Sequence, residues 1–487
     1  MLLSHIFRAK KILGHGFLLL SISACGGGGD GGSDTGTGDG GGGDSEVSDS
    51  FPATNTSINL TGNGGPDLDV KRGRSAALDK ISKFRKSADL GFTLAHAHQN
   101  MVGYDTNYEE PLDQFYYGPG GGINVRVDDD VVSDRQAIVA EGLTLIHQAT
   151  GTPYYGHGPH DNFGDIQMWP MAVNYEWPGG GNWYPLPNNK TLREDYGTTL
   201  GDWINMVENA DGSGTNSIWI GNQEPAHTIG DPTGAGTGLT TQEKKDNISL
   251  YIEAWVKTAN VVKNAGHQVG GVQLNGSNAD YMDHTISELK AANVPFDYFT
   301  VQQYKAEKTN TGILNSIRSA LQNNNYNTSK KVLFNRYAYK TLDKSLVSDI
   351  IETLKAERAV LDNADMVWGI CYEGDVFNQT IWATPFEIIN AMPANRRPIT
   401  LAPANVDGFA SSSNNAFTAI LWNTGSSSTS IELKLENAPD ALDNKTLTVK
   451  SASGTSIGDV SATWNSSTDE ITDFSIPSQG FVTIELK

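Results

Sequence analysis

The side chains able to do chemistry fall in short runs along the chain. One run holds His96, His98, Gln99 and Asn100, and another His157, His160, Asp161 and Asn162. Further runs are Asn222-Gln223-Glu224-Pro225 with His227, Gln302-Gln303-Tyr304, Asn335-Arg336-Tyr337, and Tyr372-Glu373 with Asp375. Trp169, Trp177, Trp183, Tyr184, Trp368 and Trp382 crowd the same stretches. Carboxylates and amides among flat aromatic rings suit a carbohydrate. The rings cover the apolar C–H faces of pyranoses, and the amides and acids take the hydroxyls. Breaking a glycosidic bond needs two carboxyl groups, one of them to protonate the leaving oxygen. The histidines fit hydrogen bonding to hydroxyls better than metal ligation, because no fixed helical spacing joins His157, His160 and Asp161. No metal and no other cofactor is expected.

Each run must be presented by a structural element, and the sequence supplies one. Short apolar segments rich in β-branched and aromatic residues alternate with helical stretches. The strand segments are 89–97, 122–127, 153–157, 217–221, 268–274, 296–302, 331–335 and 366–371. Helices are expected over 133–148, 192–209, 241–265, 279–292, 311–323, 344–362 and 385–391. This pattern predicts an α/β fold, a (β/α)8 TIM barrel, with the chemical runs at the C-terminal ends of its strands. A doubly wound open sheet would want a phosphate-type glycine loop after its first strand, and AHAHQN is not one. After residue 395 the texture becomes alternating strands separated by Ser, Asn, Gly and Asp turns, which predicts a small all-β sandwich over 396–487. The barrel is assigned to 59–395. The sandwich is expected to pack on the barrel.

The N-terminal region reads as an address and a tether. Arg8, Lys10 and Lys11 precede the apolar run 16–22, which ends in Ile22-Ser23-Ala24-Cys25. This resembles a bacterial lipobox, so residues 1–25 read as a lipoprotein signal peptide with Cys25 as the lipidation site. Gly26 follows the cysteine, which favours the outer membrane or cell surface over inner-membrane retention; without lipid the protein would be secreted. Residues 26–58 are rich in Gly, Asp and Ser and read as a flexible tether. The chain has only two cysteines, Cys25 and Cys371, so a disulfide framework is excluded. A formal net charge of −21 argues against a nucleic-acid partner. The expected partner is a polysaccharide or oligosaccharide. Membrane contact is expected only through lipid, and the protein is expected to be a monomer.

The segment WIGNQEP, residues 219–225, resembles the acid/base segment of clan A glycoside hydrolases, where Asn-Glu-Pro closes strand four. With the histidines near the first strand and the trailing sandwich, the chain is most similar to glycoside hydrolase family 86, the β-agarases and β-porphyranases. The resemblance spans about residues 60–487, although its specific motif is short. It implies that Glu224 is the general acid and that Asn222 contacts the sugar near the scissile bond. Gln223 stands as an insertion between them. It also implies hydrolysis of red-algal galactans such as agar, porphyran or carrageenan. His96, His98, His157, His227, Tyr304, Trp183, Trp368 and Trp382 are then substrate-binding candidates.

The pattern departs from the clan at strand seven. Clan A enzymes carry a nucleophilic glutamate there, before an aromatic residue; VLFNRYAYK places Arg336 before Tyr337. An arginine stays protonated and cannot attack an anomeric carbon. Three readings stand: a shifted register, a second acid moved to Glu373 or Asp375 on strand eight, or a barrel that binds glycan without cleaving it. Arg336 is also placed to read a sulfate or carboxylate on the substrate. Strands four and eight face each other across an eight-stranded ring. Glu224 and Glu373 would therefore stand farther apart than the roughly 5–5.5 Å of a retaining pair. Alternatively, Glu373 pairs with Arg336.

The lipobox yields a direct test. Metabolic labelling with a palmitate analogue should mark the wild-type protein, which should sediment with membranes. Cys25→Ala should abolish both, and an unlabelled wild-type protein in the soluble fraction would remove the anchor.

Overall fold

The structure is a computed structural model of the 487-residue chain. It describes residues 54–76, 80–97, 116–117, 123–124, 129–148, parts of 197–210, 217–221, 241–275, 279–303, 310–337, 346–373 and 376–487. The first described strand, β1 (Thr54–Asn59), belongs with the C-terminal domain. The next strands are β2 (Lys71–Ala76), β3 (Leu94–Ala97), the short pair β4 (Tyr116–Tyr117) and β5 (Ile123–Asn124), and β6 (Thr144–Gln148). Then come β7 (Ser217–Ile220), β8 (Gln268–Asn275), β9 (Tyr298–Gln303), β10 (Val332–Tyr337) and β11 (Val367–Glu373). Eight of them close a barrel in the order β2-β3-β6-β7-β8-β9-β10-β11, with β11 returning to β2. All eight pairings are parallel.

The helices described are α1 (Ile81–Asp89), α2 (Asp129–Ala140), α3 (Thr241–Asn264), α4 (Ala279–Ala291), α5 (Asn310–Asn323), α6 (Val347–Leu361) and α7 (Thr380–Ala391). Successive residues of a strand face opposite sides. Leu94, Ile146, Ile218, Ile220, Leu333 and Cys371 accordingly fill the barrel interior. Their neighbours Ala95, Leu145, Trp219, Phe334 and Ile370 pack outward in the larger core shared with the helices. The interior is tight at the closing strands. A Cβ on Gly73 would lie 2.4 Å from Leu94 Cβ, so only glycine fits there.

The barrel is the predicted one, with corrections to its first three strands. The first strand is β2, KRGRSA, which the hydropathy pattern does not reveal. It reads as basic and exposed, yet Arg72 and Arg74 are buried on its outer face. The predicted first strand is therefore second in the barrel. The predicted second strand, 122–127, contains only β5, which pairs with β4 outside the barrel. The helix expected over 133–148 is two elements. α2 stops at Ala140, Gly142 follows in the left-handed region at φ 78°, and β6 supplies the third barrel strand. A glycine in that conformation is a common helix stop. The segment 153–157, predicted as strand three, lies outside the described residues. With β2 first and β6 third, β7 is still strand four, and β8 to β11 remain five to eight.

The C-terminal strands are β12 (Arg396–Arg397), β13 (Ile399–Thr400), β14 (Val406–Ser413), β15 (Ala416–Asn423) and β16 (Thr429–Glu436). They continue with β17 (Leu447–Ser453), β18 (Ser456–Asp459), β19 (Thr463–Asn465), β20 (Glu470–Ile476) and β21 (Gly480–Leu486). They form a six-stranded sheet, β12-β14-β15-β21-β17-β18, and a five-stranded sheet, β13-β1-β16-β20-β19. The sandwich is thus discontinuous in sequence. Residues 54–58, assigned above to the tether, are strand β1, parallel to β16 and antiparallel to β13. Its alternating Thr56 and Ile58 are buried, a period-two signal too short to stand out beside the Gly-rich run.

Phe409, Ile420, Trp422, Ala452 and Phe481 of the six-stranded sheet belong to the barrel's own core cluster. Arg358 of α6 reaches Asp407 and donates to the Gly408 carbonyl at 2.7 Å, and Arg396 pairs with Asp362. The sandwich therefore completes the barrel's core. A chain ending at residue 395 should show no cooperative thermal transition. In the full chain, Trp422→Ala should cost about 3–5 kcal/mol, read from the denaturant midpoint. A barrel that melts cooperatively by itself would show the two domains to be independent.

Candidate active site

Barrel strands one, two, seven and eight present their C-terminal ends together. His96 on β3 is fully buried. Its Nδ1 lies 2.9 Å from Ser75 Oγ, and its Nε2 lies 3.4 Å from Asn335 Nδ2. β3 and β10 are separated by β2 and β11 in the barrel order, so the His96–Asn335 contact passes through the barrel interior. With the amide as donor, Nε2 accepts and the ring proton sits on Nδ1, donated to Ser75. Asn335 is buried as well, and its Oδ1 has no hydrogen-bond partner among the described residues. Cys371 lies in the same interior; burial pushes its thiol far above the usual range, which leaves it an inert hydrophobe. His96 is thus part of the barrel's polar floor rather than an exposed sugar contact.

At the rim, Arg336 and Glu373 form a fork-to-fork pair. Arg336 Nε donates to Glu373 Oε2 at 2.5 Å, and Nη2 donates to Oε1 at 2.6 Å. Both are mostly withdrawn from solvent, with side-chain exposures of 14% and 23%. The two strands are neighbours, and Tyr337 stands opposite Tyr372 in their register. A register shift between Phe334 and Arg336 places the irregularity at Asn335, and such bulges re-aim side chains. Strand seven thus ends as the sequence indicates, in Asn335-Arg336-Tyr337, with no carboxylate on it.

Glu373 is positioned from behind. Its neighbour Tyr372 points outward, and its hydroxyl donates to Glu357 of α6. Glu357 also receives Arg72 of β2, through Nη2 at 2.8 Å and Nε at 3.2 Å. Burial opposes the charge on Arg72, but Glu357 raises its pKa. Burial, then the Glu357 charge, holds the Tyr372 phenol well above its ordinary value. These groups clamp strands one and eight to one helix.

A second buried network lies behind strand four. Arg135 of α2 donates through Nη2 to Glu208 at 2.8 Å, and its Nη1 lies 2.7 Å from His147 Nδ1 on β6. Ser217 Oγ and Trp219 Nε1 of β7 donate to the same Glu208 oxygen. His147 stacks on Trp219 with centroids 4.6 Å apart. Because the guanidinium donates, His147 Nδ1 accepts, and burial followed by the Arg135 charge keeps the ring neutral. His147 was not among the sequence candidates. It faces the helices, and its role is to hold β7, the strand that leads into Asn222-Gln223-Glu224-Pro225.

Two aromatic candidates are corrected. Trp382 is fully buried within α7 and packs in the barrel core, so it offers no face to a sugar. Trp368 is the second residue of β11, roughly 16 Å from Glu373 at the rise of a strand, and so at the opposite end of the barrel. There it packs on Tyr298 with centroids 4.3 Å apart, beneath Lys71 Nζ at 4.8 Å. Both lie in sequence beside the chemical runs, a placement blind to which end or face of the barrel a ring occupies. Cys25, His98, His157, Trp183, Asn222, Glu224, His227 and Tyr304 lie outside the described residues. Among the described residues no group of three or more His, Cys, Asp or Glu is placed to hold a metal ion.

A closed parallel barrel capped by a β-sandwich is the architecture these elements define, and solved structures share it. The chain is similar to a GH30 endoxylanase from Clostridium papyrosolvens C71 at 13% identity and TM-score 0.55, covering 89% of this chain and 100% of that one. It is similar to a family 44 xyloglucanase from Paenibacillus polymyxa at 13% identity and TM-score 0.54, again over 89% and 100%. A glucosidase from Croceicoccus marinus aligns at 12% identity and TM-score 0.56, over 89% and 99%. The glycoside hydrolases among the neighbours are of clan A, the clan that the strand-four segment resembles. At this identity the likeness establishes the fold. No protein-family model and no curated protein sequence matches the chain.

The clamp behind Glu373 predicts a stability effect. Glu357→Gln leaves Arg72 buried without its counter-charge and should cost about 3–5 kcal/mol. Tyr372→Phe removes one hydrogen bond to a charged group and should cost about 1.5–3 kcal/mol. Equal denaturant midpoints for both variants and the wild type would show that the clamp adds nothing.

Proposed function

We propose that this chain is a glycoside hydrolase working at the C-terminal mouth of its barrel. Glu224 acts as general acid and Glu373 as the second carboxylate. One observation carries the reading: β7 is strand four of a closed eight-stranded barrel, so Asn222-Gln223-Glu224-Pro225 follows the strand end where such enzymes place their acid. Glu373 closes strand eight on the same rim. The resemblance to family 86 supports β-linked galactans of red-algal type as substrates, and the lipobox supports display at the cell surface. Arg336 holds Glu373 by two hydrogen bonds, so the carboxylate is oriented before substrate arrives.

The chemistry needs a proton on the leaving oxygen and an acceptor on the other side of the anomeric carbon. The general acid must keep its proton until the glycosidic oxygen leaves, and that is the role proposed for Glu224. A carboxylate facing a guanidinium is favoured in its charged form, which suits Glu373 as base or nucleophile. A glycan binder without hydrolytic activity is the second reading. It is favoured by Arg336 on strand seven and by its engagement of the nearest carboxylate.

Reducing-end release from agarose, porphyran, carrageenan, xylan and xyloglucan decides between them. Glu224→Gln should lower turnover at least about a hundredfold with an unchanged melting temperature. Glu373→Gln should be equally impaired and partly rescued by azide or formate. Wild-type protein that binds a polymer in affinity electrophoresis yet releases no reducing ends is the binder. A fully active Glu224→Gln removes Glu224 from the mechanism.

A further inference from the structure

We propose that the mouth takes uncharged polysaccharides and turns away sulfated or carboxylated ones, a selection set by the Arg336–Glu373 pair. This deepens the carbohydrate reading above and rests on it. Taken alone, Arg336 is an anion reader, because a guanidinium fork matches sulfate or carboxylate. The structure shows the fork already filled. Nε and Nη2 both donate to Glu373, at 2.5 and 2.6 Å, from a partly desolvated position. The charge is compensated, and a sugar meets a neutral polar patch.

A sulfate reaching Arg336 would have to displace a carboxylate that is fixed to the neighbouring strand. The displaced Glu373 would then lose two charge-assisted hydrogen bonds and stand beside the incoming anion, two like charges in a poorly hydrated place. A neutral hydroxyl avoids this. It can bond the outer faces of the pair while both partners keep their contacts.

The wider charge distribution points the same way. The stretches between the barrel strands' C-terminal ends and the helices that follow are 77–79, 98–128, 149–196, 222–240, 276–278, 304–309, 338–345 and 374–375. Together they contain 16 Asp and Glu against 7 Lys and Arg. The whole chain carries −21. A field of that sign slows the approach of a polyanion and leaves a neutral polymer unaffected.

The test compares each neutral polymer that binds or is cleaved with the same polymer after chemical sulfation, at about 20 mM and about 300 mM salt. The neutral form should have at least about tenfold higher kcat/KM at low salt, with the gap narrowing at high salt. Calorimetric titration with neutral and sulfated oligosaccharides gives a readout independent of turnover. Glu373→Gln takes the carboxylate off the fork and should tighten the sulfated oligosaccharide about tenfold or more. A wild-type preference for the sulfated form, or an Arg336→Gln variant that loses only the sulfated ligand, overturns the inference and leaves the carbohydrate reading standing. Binding of neutral over sulfated ligand without any cleavage sustains the inference and removes only the hydrolase. Absence of binding to every polymer removes both.

Discussion

The fold depends on closing the barrel between its first and last strands, and that closure is a problem of buried charge. β2 carries Lys71, Arg72 and Arg74, an unpromising sequence for a strand enclosed on both faces. It is admitted because Glu357 of α6 takes the Arg72 guanidinium, and Tyr372 of β11 donates to the same carboxylate. Arg74 lies over the Phe377 ring, with its Cζ 5.3 Å from the centroid. Removing one partner of such a buried pair costs far more than the pair contributes net. The arrangement therefore fixes register and closure more than it adds stability. Glu373 at the rim inherits its position from this clasp, since it follows Tyr372 directly.

The same device recurs behind strand four. Arg135, His147, Glu208, Ser217 and Trp219 are all buried, and their hydrogen bonds tie β7 to α2 and to the helical residues around Glu208. Strands four and eight, which lead to the two proposed catalytic carboxylates, thus each carry an outward-facing polar network onto the surrounding helices. A reaction that depends on the separation of two carboxyl groups needs both strand ends held rigidly. Hydrophobic packing alone tolerates small sliding of a strand against its helices; directional hydrogen bonds to a buried carboxylate do not.

The departure at strand seven gains a physical account from the pairing. The guanidinium stands where the clan has its nucleophile, and it holds a carboxylate supplied by the next strand. In the proposed reading Glu373 supplies the acid that strand seven lacks, and its two hydrogen bonds with Arg336 offset the guanidinium's charge. The sandwich takes part in this stability from a distance. Its six-stranded sheet shares the barrel core through Phe409, Trp422 and Phe481, and its five-stranded sheet is completed by β1, which follows the Gly-rich run.

Alternation of apolar segments with amphipathic ones made the barrel, the sandwich and the numbering of strands four to eight legible in the sequence. These are local periodicities, and each is written in contiguous residues. The absence of a carboxylate at the end of strand seven was equally legible, because it needed only the strand's end to be located. What lay beyond the sequence were features settled by partners far away along the chain. KRGRSA reads as a surface loop until Glu357, 285 residues from Arg72, compensates its charge. Trp368 and Trp382 read as sugar platforms until the strand direction and the helix face place one at the far end of the barrel and the other in its core. Arg336 reads as an anion receptor until the parallel pairing of β10 with β11 brings Glu373 onto its fork. Sequence pattern encodes how often a residue turns toward the core; only the tertiary structure decides which distant group it meets there, and whether a charge is left to act on a ligand.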